Sequence, residues 1–222
     1  MANLWQPTGR KDYRMNDEKA ASEIIQYQQR IYNGGYSTSS GGNVSLHVGN
    51  TVYITPTGKD KGDLKVSDIS AFVLESMKVI SDSKPSCEMM MHAEIYRCRP
   101  EIKAIIHAHP TYTTVMDLLS VPLETDILSE SYIFIPRVAY VNYAMPSSLE
   151  LASLVADHSK EADVLILANH GIVVCGTTLE ECFQKLEVAE EIARVQYLMM
   201  GKGPYKRLSA EQREEIDLSF HS

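Results

Sequence analysis

A chain of 222 residues with 44% hydrophobic and 23% charged side chains can bury the core of one large domain and has an ordinary globular composition. Its formal charge of −8 argues against a nucleic-acid or anionic-membrane surface but leaves room for a local positive site. Residues 1–7 lack an apolar signal core, no apolar stretch reaches ~18 residues, and Cys87, Cys98, Cys175 and Cys182 show no paired spacing. The expectation is one cytoplasmic domain, residues 1–222, with buried, reduced thiols.

Ala20, Ile24, Ile25, Tyr27 and Ile31 recur at helical spacing over 17–32, and Asn33-Gly34-Gly35 stops that helix. Residues 44–48 and 51–55 flank Gly49-Asn50 as the strands of a tight hairpin. Pro85-Ser86-Cys87 leads into a helix over 88–99, ended by Pro100. Ala104-Ile105-Ile106-His107-Ala108-His109 reads as a strand closed by Pro110; a helix over 111–119 and a strand near 132–135 follow. Ser147, with Glu150 three residues on, makes a capping box that opens another helix. Val164-Leu165-Ile166-Leu167 is a buried strand, Gly171-Ile172-Val173-Val174 begins the next, and 178–200 is a long amphipathic helix. The alternation predicts an α/β fold.

Residues two apart on a strand face the same way, so His107 and His109 project together at the end of an apolar run. Burying two imidazoles without partners is costly, which points to a metal. His170, between Asn169 and Gly171 at the end of another buried strand, supplies a third imidazole. Glu88 would complete a ligand set for a zinc-like ion, although a carboxylate also suits the first turn of a helix. His92, one turn after Glu88, is an alternative ligand. Three segments have the glycine-rich or helix-entry character of anion sites: Ser39-Ser40-Gly41-Gly42-Asn43, Thr55-Pro56-Thr57-Gly58-Lys59 and Pro85-Ser86-Cys87. Together they suggest a phosphorylated substrate reaching across to the metal.

Taken in order, Ser40-Gly41-Gly42-Asn43-Val44-Ser45, Ile54-Thr55-Pro56-Thr57-Gly58, Ser86-Cys87-Glu88, Ile106-His107-Ala108-His109-Pro110 and Ala168-Asn169-His170-Gly171 resemble the class II aldolase/epimerase family. The nearest branch is that of L-fuculose-1-phosphate aldolases, and the likeness runs over residues 16–200. It implies a three-layer α/β/α domain with a central mixed or antiparallel sheet, assembled as a C4 homotetramer with interfacial active sites. It also implies one Zn2+ per subunit on His107, His109, His170 and Glu88, with Glu88 as catalytic base. Gly42, Asn43, Thr57, Gly58, Ser86 and Cys87 would hold the phosphate of a sugar phosphate. The implied reaction is reversible cleavage of a ketose 1-phosphate to dihydroxyacetone phosphate and an aldehyde such as L-lactaldehyde.

One departure stands out. The aldolase branch carries a proton-donating tyrosine a few residues after the proline matching Pro122, where this chain reads Leu123-Glu124-Thr125-Asp126-Ile127-Leu128. Glu130, Tyr132 and Tyr205 are the replacement candidates, the last in a segment from about 203 that resembles the family's flexible closing tail. Two related readings are a ribulose-phosphate 4-epimerase, whose branch has aspartate at the place of Glu88, and a methylthioribulose-1-phosphate dehydratase, whose later acid Glu130 could imitate. A non-catalytic, metal-stabilised interaction domain is the reading from another class.

Overall fold

The computed structural model describes residues 15–221; the stretch 1–7 lies outside the described residues. In chain order the elements are α1 (Met15–Asn33), β1 (Asn43–Val48), β2 (Thr51–Ile54), β3 (Ser70–Val73), α2 (Met89–Cys98), β4 (Ala104–Ala108), α3 (Thr111–Leu118) and α4 (Ser129–Phe134). They continue with β5 (Val138–Val141), α5 (Leu149–His158), β6 (Val164–Leu167), β7 (Gly171–Gly176), α6 (Leu179–Met199) and α7 (Ala210–Phe220). The strands form one sheet in the order β3-β2-β1-β4-β7-β6-β5. Neighbours are antiparallel except β5 and β6, which run parallel.

Both faces of the sheet are covered, so its strands are apolar without interruption where both sides are dry. Val44, Leu46, Ala104, Ile106, Ile172 and Val174 enter a core shared with α1 and α6. Their neighbours Ile105, Leu165, Val173 and Cys175 enter a second core, shared with α2 and α5. The period of two along the strands thus separates two helical layers, giving the α/β/α architecture. Among the described residues no helix is long and apolar enough to cross a membrane.

Several local readings need correction. Residues near 132–135 belong to a helix, α4, and not to a strand. The short Tyr-Ile-Phe-Ile run is compatible with either state; here Ser131 Oγ donates to Thr125 O at 2.6 Å and fixes the helical entry. The cap of α5 is Ser148, whose side chain accepts from Leu151 N, whereas Ser147 sits at φ +64 and cannot serve. Strands β3 and β5 and helix α7 had no clear sequence signature. The segment from about 203 contains α7, which opens with a Ser209/Gln212 capping box. Arg207 and Arg213 both bind the Asp126 carboxylate, at 2.7 and 2.8 Å. Of the cysteines, Cys175 and Cys182 are buried but Cys87 is exposed, and all four are free thiols.

Candidate active site

Strand and helix periodicities build the site together. Asn43 pairs directly with His107 across β1 and β4, and Ser45 lies two residues on, so all three side chains face α2. Glu88, at the N-cap of α2, is followed at four-residue intervals by His92 and Tyr96, which places the three on one helical stripe. The stripe meets the strands in a dry layer: His92 and His107 are fully buried, and Glu88 and Asn43 nearly so.

The resulting hydrogen bonds run in one direction. A carboxylate only accepts, so the Asn43 amide nitrogen donates to Glu88 Oε2 at 2.8 Å. Asn43 Oδ1 then faces His92 Nε2, which must carry the ring proton. His92 Nδ1 accepts from Ser45 Oγ at 2.7 Å, and Ser45 Oγ accepts from the Tyr96 hydroxyl at 2.7 Å. Burial, then the charge of His107, push the His92 pKa down to about 3, consistent with a neutral ring. With both ring nitrogens engaged inside the fold, His92 does not point at the imidazole cluster as a ligand.

His107, His109 and His170 form that cluster, their ligand atoms all within 4.8 Å of one another. His107 Nδ1 donates to Ile172 O at 2.9 Å, which turns Nε2 toward the others. Its Nε2 lies 3.1 Å from His109 Nε2 and 3.2 Å from Glu88 Oε2, and His170 Nε2 lies 3.6 Å from Glu88 Oε1. Burial lowers the pKa of His109 to about 3 and of His170 to about 4, with the charge of His107 adding to both. Burial acts on His107 in the same sense, but the Glu88 carboxylate and the Ile172 carbonyl together outweigh it and raise the pKa. Burial would raise the Glu88 carboxyl; His107, Asn43 and His170 together outweigh it and hold the group well below the usual carboxylate range. Imidazole lone pairs and an ionised carboxylate directed at one another, with Glu88 Oε1 lacking a hydrogen-bond partner, fit a divalent ion of the zinc type.

Three glycines permit this approach. A Cβ on Gly171 would lie 2.4 Å from Ala108 O and 2.6 Å from the His109 ring, and one on Gly42, at φ +69, 2.7 Å from His107 O. A Cβ on Gly41 would lie 2.8 Å from His109 Nδ1. Asn169 adopts φ +56, a conformation asparagine tolerates, and its N–H donates to Asp117 Oδ2 at 2.7 Å, which fixes the turn that presents His170.

The three anion-type loops converge through backbone bonds. Ser86 N donates to Thr55 O at 3.1 Å, Thr57 N to Lys84 O at 3.2 Å, and Lys61 N to Ser39 O at 2.8 Å. Ser86 is buried and its Oγ accepts from Glu88 N at 3.2 Å; Cys87 and Gly58 are exposed and Thr57 half-buried. Asn43 lies among these loops, but its side chain is committed to Glu88 and His92. The proton-donor candidates lie against other elements: Glu130 is exposed on α4, Tyr132 donates to Asp217 of α7 at 3.1 Å, and Tyr205 to Glu124 at 2.5 Å. Asp117 and the bond from Ser45 to His92 have no motif in the sequence; their signal there is a polar residue on an otherwise apolar face, and His92 reads there as an alternative metal ligand by its spacing from Glu88. A cavity of about 280 Å³ lined by Asp117, Pro122, Tyr140, Asn142 and Ala168 adjoins the strand end that leads to His170.

Comparison with known proteins gives the following. A family model described as Class II Aldolase and Adducin N-terminal domain matches residues 22–197. An L-fuculose phosphate aldolase of Methanococcus vannielii is 43% identical over 179 residues, covering 81% of this chain and 96% of that protein. A 3-oxo-tetronate 4-phosphate decarboxylase of Escherichia coli is 29% identical over 211 residues, covering 92% and 98%. The solved structure of an L-fuculose 1-phosphate aldolase superposes with a TM-score of 0.82 at 30% identity, covering 92% of this chain and 97% of that one.

Proposed function

The chain belongs to the class II aldolase and adducin N-terminal domain family, and from that membership we propose a metal-dependent aldolase of the L-fuculose 1-phosphate type. The observation that carries the reading is the convergence of three imidazoles on the Glu88 carboxylate. Zn2+ held by His107, His109, His170 and Glu88 would supply a Lewis acid that polarises the ketose carbonyl and stabilises developing negative charge on its oxygens.

Cleavage breaks the bond between C3 and C4 of the ketose phosphate. Its electron pair moves into the adjacent carbonyl, the C4 hydroxyl passes its proton to the acid–base group on the aldehyde side, and C4 becomes the aldehyde carbon. Glu88, after taking up a proton from solvent, delivers it to C3 and completes dihydroxyacetone phosphate; in condensation the ionised carboxylate removes that proton directly. Asn43 holds one Glu88 oxygen in place. The loops carrying Gly42, Thr57, Gly58, Ser86 and Cys87 take the phosphate, while Asn43 serves this end of the site through Glu88. In a C4 homotetramer with interfacial sites, Glu130, Tyr132 or Tyr205 would serve a neighbouring subunit, taking the C4 hydroxyl proton in cleavage and donating it to the aldehyde oxygen in condensation. A cytoplasmic location agrees with the four free thiols.

A second reading is favoured by the decarboxylase relative and by the missing tyrosine after Pro122. Loss of CO2 from a 3-oxo acid phosphate leaves the same carbanion beside the same carbonyl, yet requires no acid or base at a departing aldehyde. The test supplies metal-loaded enzyme with L-fuculose 1-phosphate or 3-oxo-tetronate 4-phosphate and measures dihydroxyacetone phosphate and CO2. Release from the first, abolished by chelation and restored by Zn2+, is the expected result. Release only from the second would replace the aldolase reading with the decarboxylase.

A further inference from the structure

Lys61 is 3% exposed, and its ammonium donates to the Pro56 carbonyl. It forms no ion pair among the described residues, unlike buried Lys185, which meets both Asp163 and Glu181. Burying an ammonium without a counter-charge is expensive, and one carbonyl does not offset it. Lys59, two residues earlier, is more than half exposed and pairs with Asp68 at 3.2 Å, so it faces away from this problem.

Lys61 stands where the three anion-type loops meet. Its own N–H holds Ser39 of the first anion-type loop at 2.8 Å, and its ammonium holds Pro56 of the second. Pro56 bridges to Pro85 of the third, two residues before Cys87. The three loops therefore close around a buried cation. Resting on the phosphate-ester reading of the preceding subsection, which aldolase and decarboxylase share, we propose that Lys61 is the counter-charge for the substrate's phosphate monoester, bound between Gly58 and Cys87. Burial depresses the pKa of this ammonium to about 8, and a phosphate beside it would raise it again.

Calorimetric titration of metal-loaded wild type and Lys61→Met with dihydroxyacetone phosphate and with unphosphorylated dihydroxyacetone tests this. Wild type binds the phosphate ester more tightly than dihydroxyacetone; Lys61→Met weakens the ester by about ten- to a hundredfold and leaves dihydroxyacetone unchanged, while Lys61→Arg recovers part of the loss. A folded Lys61→Met that binds the ester as wild type does would overturn the role of Lys61 alone. Wild type that does not distinguish the two ligands would overturn the phosphate reading itself, and Lys61 with it. Should Lys61→Met fail to fold, nitrogen NMR of the wild-type lysine side chains decides. A Lys61 resonance that shifts on addition of the ester supports the proposal, and one that stays in place refutes it.

Discussion

Glu88 and Gly171 show how much one atom decides in this site. Replacing Glu88 by Gln keeps an oxygen for Asn43 Nδ2 but removes the negative charge that faces His107 and the ability to accept a proton. Turnover is expected to fall by about 10²–10⁴-fold with the fold intact, as for loss of a general base. Steady-state kinetics on Glu88→Gln settle the matter, and near-normal turnover would remove Glu88 from the chemistry. Gly171→Ala adds a Cβ that would sit 2.4 Å from Ala108 O, so backbone must shift where the turn carrying His170 meets the strand end carrying His109. A loss of about 1–3 kcal/mol in urea unfolding, together with weaker metal retention, is expected. An alanine variant equal to wild type in both would show that the turn relaxes freely.

Two groups of elements are joined by polar contacts whose removal has separable effects. His92 ties α2 to β1 through Ser45 and Asn43, and so orients Glu88 without touching the imidazole cluster. His92→Phe leaves Asn43 Oδ1 and Ser45 Oγ buried with a partner removed, at a cost of about 1–3 kcal/mol. Its kcat is expected to drop while KM changes little, with partial rescue in His92→Gln; equal losses in both constants would indicate general structural damage instead. Asp163, just before β6, joins Arg99 after α2 at 2.7 Å to Lys185 of α6 at 2.7 Å. Burial raises the Asp163 pKa, but the bonds from Lys185 and Arg99 outweigh it and lower the folded value. A depressed folded pKa contributes stability above the unfolded pKa, near 3.9, and the contribution is lost as pH falls through the folded value. Asp163→Asn should therefore cost about 1–2 kcal/mol at pH 7, discounted because the carboxylate is 36% exposed, and progressively less below pH ~4. Chemical denaturation at the two pH values measures it, and a loss independent of pH would contradict the assignment.

At the scale of the whole molecule, the site sits on a fold that does not need it. Two apolar cores, one on each face of a seven-stranded sheet, bury the helices independently of the imidazole cluster. Chelation is accordingly expected to abolish turnover while the circular dichroism spectrum and a cooperative melting transition persist. Unfolding on chelation would instead identify a structural metal and favour the non-catalytic, metal-stabilised domain.

Local chemistry made much of this protein legible without coordinates. The alternation of Ile105, Ile106 and His107, the four-residue spacing of Glu88 and His92, and the glycines beside Asn43 and His170 all encode which way a side chain faces, since backbone geometry sets those periods. What periodicity cannot encode is which distant segments meet. Only the tertiary structure pairs Asn43 with His107, converts the run near Tyr132 into a helix against α7, and closes three loops over Lys61. Burial of a polar group is a property of everything packed around it; the sequence determined the groups and their directions, and the fold decided which were left without water.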